Sequence, residues 1–257
     1  MRLLLRLVLI PGMVAIVSMT SRRWGAGIGG WMTGLPVVTA PTLFFLALEQ
    51  GDTFAAQAAG ATLVGQIAVA AFSLTYAEMC VRMAWPVSLF TAWAVFAATS
   101  VALNEVRWHP IIALLASLGG FEVVERLLPR QRGELSPGRA PTWELAVRMG
   151  AAVTLVLTVT AVAASLGPRL TGALTPFPLA PAILVAFAHR QGGPPAALRW
   201  LRACLRAMWS TAGFCFVLSQ ATVPLGRDTG FLAAFTVLLA VNGFVLWQIP
   251  AHRPQAQ

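Results

Sequence analysis

The stretch TGLPVVTAPTLFFLALEQG, residues 33–51, is apolar enough to sit in a bilayer, yet Pro36 and Pro41 interrupt it. A second stretch, LTPFPLAPAILVAFAHRQGG at 174–193, repeats the Pro-x-x-x-Ala-Pro spacing, with Pro176 and Pro181 each 140 positions further on. A proline inside a helix lacks the N–H that would bond four residues back, and its ring crowds that carbonyl. Pro36 and Pro41 are therefore expected to free the carbonyls of Met32 and Val37. Pro176, Pro178 and Pro181 should free those of Gly172, Leu174 and Phe177. Lipid offers such groups no partner, so the interruptions should face protein or a watery cavity. Thr33, Thr39 and Thr175 stand near enough to supply hydroxyls.

The rest of the chain explains why lipid is the relevant solvent. Of 257 residues 58% are hydrophobic and only 11% charged, against about 25% charged in soluble domains. Mean hydropathy is +0.75. The longest polar stretch, near 122–144, is too short for a soluble domain. All eighteen basic residues are arginine, which with the Ala, Gly and Pro richness points to a GC-rich bacterial genome. The net charge of +9 does not imply nucleic acid, because membrane proteins concentrate arginine in cytoplasmic loops. Cys80, Cys204 and Cys215 lack metal or pairing spacing and read as small buried hydrophobes.

With about 20 apolar residues per crossing, spans are expected near 3–20, 27–48, 54–77, 84–104, 145–165, 170–189, 197–222 and 230–250. The first, MRLLLRLVLIPGMVAIVSM, lacks a small-x-small cleavage site and reads as an uncleaved span. WHPIIALLASLGGFEVVERLLP adds a ninth crossing if Glu122, Glu125 and Arg126 sit at the interface. The expected fold is all-α: a polytopic membrane protein of eight or nine helices, built from two related four-helix repeats with Pro-broken second helices. The first repeat covers 1–104 and the second 144–257, joined by 105–143, a linker with an Arg-rich cytoplasmic loop. Each repeat shows an arginine (Arg6, Arg148), a serine (Ser21, Ser165), the proline motif, a Gln-Gly pair (Gln50–Gly51, Gln191–Gly192) and an alanine-rich third span. Internal repeats of this sort are common in transporters.

The second repeat, in LTGALTPFPLAPAILVAFAHRQG, AALRWLRACLRAMWS and MWSTAGFCFVLS, resembles the small GlpM-like bacterial inner-membrane proteins. The chain thus looks like a tandem duplication of such a unit. The resemblance implies the membrane architecture and a link to exopolysaccharide production, but no catalytic signature.

Arginine counting places the linker and C-terminus in the cytoplasm of a bacterial inner-membrane protein. It does not choose between eight and nine spans, since both give 13 cytoplasmic arginines against 5 outside. Nine makes the repeats inverted and eight makes them parallel; the length of 110–128 favours nine.

Two constellations are candidates for chemistry. Pro36, Thr39, Pro41, Pro176, Pro178 and Pro181, with the deep Gln66, outline a substrate site between the repeats, where unwound backbone and half-helix ends bind solute. The same prolines also fit simple kinks for packing. Arg199, Arg202 and Arg206, at i, i+3 and i+7, share one helix face. They fit either an anion held by guanidinium forks or anionic lipid heads at the interface. Glu78 and Glu105 fall at span ends, and His109, His189 and His252 are isolated and read as interfacial. No metal, nucleophile or phosphate-loop pattern stands out, so neither an enzyme nor a cofactor is expected. The expected function is secondary-type transport of a small molecule or lipid-linked substrate. The alternative is a non-transporting subunit for envelope or exopolysaccharide assembly. The expected partners are the bilayer, a small-molecule or anionic-lipid substrate, and a second copy or an envelope protein.

Overall fold

The computed structural model describes residues 39–106, 108–129 and 178–248, with 12, 15–20, 23, 31–32, 35–36, 147, 149–150 and 153–154. Among them the elements are all helical: α1 Thr39–Gln50, α2 Asp52–Cys80, α3 Trp85–Asn104, α4 Pro110–Leu127, α5 Leu179–Leu225 and α6 Arg227–Gln248. Four segments are long and apolar enough to cross a membrane: Asp52–Cys80, Trp85–Leu103, Pro181–Leu225 and Arg227–Val245. Phe90, Leu232, Leu239 and Trp247 on α3 and α6 point outward, as side chains facing lipid do. The expected spans near 3–20 and 145–165 fall largely outside the described residues.

Among the described residues three glycines with positive φ sit between helices: Gly51, Gly193 and Gly226, the last (φ 81, ψ 163) joining α5 to α6. Gly51 (φ 88, ψ 167) joins α1 to α2, and Gly193 (φ 64, ψ −166) splits α5 into arms 179–192 and 194–225. This backbone region is essentially closed to L side chains, so each pair of helices folds back across a single residue. The same order therefore occurs twice: a short helix, such a glycine, a long helix, and one more helix. The short helices begin at Thr39 and Leu179, again 140 positions apart.

The prolines lie differently from the sequence expectation. Leu35 is a bend, Pro36 precedes α1, and the Pro36 carbonyl accepts from the Ala40 N–H at 2.8 Å. Pro178 caps α5 in the same way, its carbonyl accepting from the Ala182 N–H at 2.9 Å. Pro181 is the third residue of α5, where N–H groups have no intrahelical partner, so proline there breaks nothing. Pro41 follows Ala40, whose N–H already closes an i→i−4 bond, so it stands one residue past such a free first turn. Pro178 and Pro181 start a half-length helix rather than kink a long one. Pro176 and the carbonyls of Gly172, Leu174, Phe177 and Val37 lie outside the described residues.

The long helices form the centre. Thr53, Ala56 and Gln57 near the start of α2 share a cleft with Ser219, Gln220 and Val223 near the end of α5, and Gln66 meets Cys215 between them. Arm 194–225 therefore runs antiparallel to α2. α4 runs parallel to α2: the Ser117 hydroxyl reaches Leu63 O at 2.9 Å, and Gly120 lies against Ala70 further along both helices. One hydrophobic core takes in residues from α1, α2, α3, α4, α5 and α6, so the two expected repeats are packed into each other.

α4 is 18 residues, about 27 Å at 1.5 Å per residue and nearly the hydrocarbon thickness of about 30 Å. It does not qualify as a span by composition because Glu122, Glu125 and Arg126 crowd its end. There Arg126 donates to Glu122 at 2.8 Å and Arg206 donates to Glu125 at 2.6 Å. The charges sit together at one end of the bundle, as the sequence required for a crossing.

Candidate functional site

α1 and arm 179–192 are half-length, about 18 and 21 Å for 12 and 14 residues. Each is tied to one end of the bundle by its glycine reversal, so each begins in the interior. Trp31 and Met32 are helical again on the far side of the Leu35 bend. The Trp31 indole N–H donates to the Asn242 carbonyl in α6 at 3.0 Å. The bend at Leu35 and the buried residue Pro36 thus lie between this turn of helix and α1.

Gln66 lies at mid-length of α2 and is 2% exposed, the deep polar residue the sequence singled out. Its amide N–H faces Cys215 Sγ at 3.9 Å, while its carbonyl oxygen has no hydrogen-bond partner. A buried acceptor left unmet costs about 1–3 kcal/mol, and such groups call for a reason. All three cysteines are buried thiols.

From one end of the bundle a cleft of about 450 Å³ runs inward between α2, the α3–α4 turn and the end of α5. It reaches Val64 and Gly65, the latter adjacent to Gln66. Its polar lining comprises Thr53, Gln57, Ser100, Ser219 and Gln220, with Trp108 on the wall. The opening exists because α2 is thin here. At Gly60, nothing lies within 4 Å of where a Cβ would stand.

At the opposite end specific contacts join the helices. The Tyr76 hydroxyl and His189 Nδ1 lie 3.3 Å apart, joining α2 to the first arm of α5. Arg202 donates to the carbonyls of Leu128 and Pro129 at 3.0 and 2.9 Å, finishing the C-terminus of α4, and Arg206 pairs with Glu125. Arg199 donates to the Pro195 carbonyl at 3.2 Å within its own helix. The shared arginine face is real, but Arg202 and Arg206 bind α4, because bare carbonyls and a carboxylate there match guanidinium donors.

His189, read as isolated, is 8% exposed and meets Tyr76 at that end of the bundle. Sequence reasoning also passed over Tyr76, the only tyrosine in the chain, and Asn242, 2% exposed with its Oδ1 3.5 Å from Ser210 Oγ. A lone asparagine in the apolar run FLAAFTVLLAVNGFVLW was a readable signal. Thr39, Pro41 and Gln66 lie on adjacent helices, and Pro178 and Pro181 open α5. Among the described residues no cluster of three His, Cys, Asp or Glu is placed to hold a metal. Comparison with family models, curated proteins and solved structures gave no match.

Proposed function

We propose that this chain is a membrane transporter of a small molecule or lipid-linked substrate, working between two inverted related halves. The observation that carries the reading is the antiparallel central pair, α2 with arm 194–225, each long helix preceded by a half-length helix that begins in the interior. In secondary transporters, interrupted helices in corresponding positions of two halves mark the binding site near the bilayer midplane. The start of α1 at Thr39, Pro36 and Pro41 form one half of the proposed site, Pro178 and Pro181 at the start of α5 form the other, and Gln66 on α2 completes it; Pro176, outside the described residues, is assigned to the second half by its sequence spacing alone. A cleft open at one end, and contacts joining the helices at the other, suit one conformation of an alternating-access cycle.

The orientation of α4, parallel to α2, supports nine crossings over eight; arginine counting supports a bacterial inner-membrane protein with a cytoplasmic C-terminus on either count. The GlpM-like stretches quoted above remain the ground for duplication of a four-span unit, and for the alternative of a non-transporting subunit in envelope assembly.

The test needs no known substrate. In a chain with Cys80, Cys204 and Cys215 replaced by Ala, Thr39→Cys and Leu179→Cys are treated with an impermeant maleimide in right-side-out and inverted vesicles. Alternating access requires reaction from both faces. Reaction from one face only, or from neither, sinks the transport reading. The same reagent on Arg22→Cys should react from the cytoplasmic side if the chain has nine crossings.

A further inference from the structure

The cleft has a chemistry that narrows what it takes. Eighteen arginines and nine acids are spread along the chain, yet none of the sixteen residues lining the cleft is ionisable. Its polar groups are neutral: three hydroxyls and two primary amides, each amide both donor and acceptor. Gln57 and Gln220 are exposed at the mouth, whereas Ser100 is buried within. Gln220 already donates to the Ser219 hydroxyl at 3.1 Å, fixing one amide. The Trp108 indole N–H is bonded to the Leu103 carbonyl at 3.1 Å, which holds that ring as a rigid apolar wall.

We infer that this cleft binds an uncharged, hydroxyl-rich group, a glycosyl or polyol moiety of about sugar size. Among the described lining residues an ionised ligand meets no opposite charge, so its lost hydration would go uncompensated there, a penalty of several kcal/mol. A wholly apolar ligand would leave the hydrogen-bonding capacity of Gln57 and Gln220 at the mouth unused. A neutral polyol has alternating O–H groups for the amides and hydroxyls, and a C–H face for the indole and the alanine and glycine wall of α2. A volume of about 450 Å³ falls within the range of ligand sites, about 300–1,000 Å³. The group arrives either free in water or on a lipid, since both present the same hydroxyls. This assignment rests on the transport reading for its purpose, but occupancy is measured apart from movement.

The reporter is Ala61→Cys in the chain with its three native cysteines replaced by Ala, reconstituted in phosphatidylglycerol nanodiscs without sugar detergent. Val106→Cys, at another wall of the cleft, serves as the second reporter if the first variant does not fold. Maleimide labelling is timed with maltose, with monoglucosyl diacylglycerol in the disc, with dioleoylglycerol, and with glucose 6-phosphate. A neutral glycosyl probe at about twice its Kd leaves about a third of sites free, so labelling slows about threefold. Gln57→Leu and Gln220→Leu should each weaken the affinity about tenfold, so the same probe concentration slows labelling only about 1.2-fold. Protection by maltose assigns a free saccharide, and protection by the glycolipid alone assigns a lipid-borne one. The inference is overturned if glucose 6-phosphate or dioleoylglycerol protects as well as the glycosyl probes, or if none protects. Protection without two-sided labelling at Thr39→Cys would leave the binding site standing and remove the transporter.

Discussion

Replacing Gln66 by leucine should make the protein more stable. The side chain is 2% exposed, its carbonyl oxygen has no partner, and its N–H meets only a thiol at 3.9 Å. A thiol sulfur is a weak acceptor, so the amide gains little from Cys215. Removing an unmet buried acceptor recovers about 1–3 kcal/mol. Leucine nearly matches the glutamine volume, so a void or overpacking term stays small. At about 2–4 °C for each kcal/mol in a chain of this size, the melting temperature should rise by several degrees. The assay is thermal loss of the monodisperse peak for wild type, Gln66→Leu and Gln66→Ala in one detergent. The alanine variant removes the same orphan but leaves a void, so it should fall below the leucine variant. A lower melting temperature for Gln66→Leu than for wild type would refute the reasoning, because the oxygen would then have a partner worth keeping. Under the transport reading the stabilised variant should also lose turnover, the usual exchange where a binding group is kept at the expense of stability.

Gly51→Ala should destabilise by about 1–3 kcal/mol, since φ 88 with ψ 167 strains any L side chain; unchanged melting would mean the α1–α2 reversal is relaxed in solution. Gly230→Ala should be poorly tolerated because its Cβ would stand 2.8 Å from the Thr222 Cα, while Gly60→Ala meets nothing within 4 Å and should gain up to about 1 kcal/mol of helix propensity. Equal melting of those two variants would contradict the close approach of α5 and α6. Tyr76→Phe should cost about 1 kcal/mol through its bond to His189, read as earlier proteolysis near the Gly193 reversal. A double-mutant cycle of Arg206→Ala with Glu125→Ala should give a coupling of about 1 kcal/mol or less, because Arg206 is 44% exposed.

Hydropathy placed most of what is described. The expected spans at 54–77, 84–104, 197–222 and 230–250 fall on α2, α3, the second arm of α5 and α6 within a few residues, since long apolar runs leave a helix little choice of position. Proline was harder to read. A proline such as Pro181 reads alike whether it breaks a helix from its interior or begins one from its first turn, and hydropathy does not mark where a helix starts. His189 stood beside Arg190 and Gln191 and so read as interfacial; its partner Tyr76 is 113 residues away. The cleft is written in no motif. It arises from Ala56, Gly60, Ala61 and Gly65 meeting side chains of α3, α4 and α5, a property of the assembly rather than of any segment. The arginine spacing on α5 was legible, but the carbonyls of Leu128 and Pro129 that receive Arg202 belong to backbone and leave no trace in residue type.

The charged end of α4 also bears on the order in which the protein is made. Glu125 is answered by Arg206, 81 residues later in the chain, and the last carbonyls of α4 by Arg202. At about 5–20 residues per second of synthesis, α4 waits roughly 4–16 s for the helix that neutralises it. During that interval α4 is a marginal segment with its charges unanswered, and under the nine-crossing reading it settles as a crossing only when α5 comes alongside.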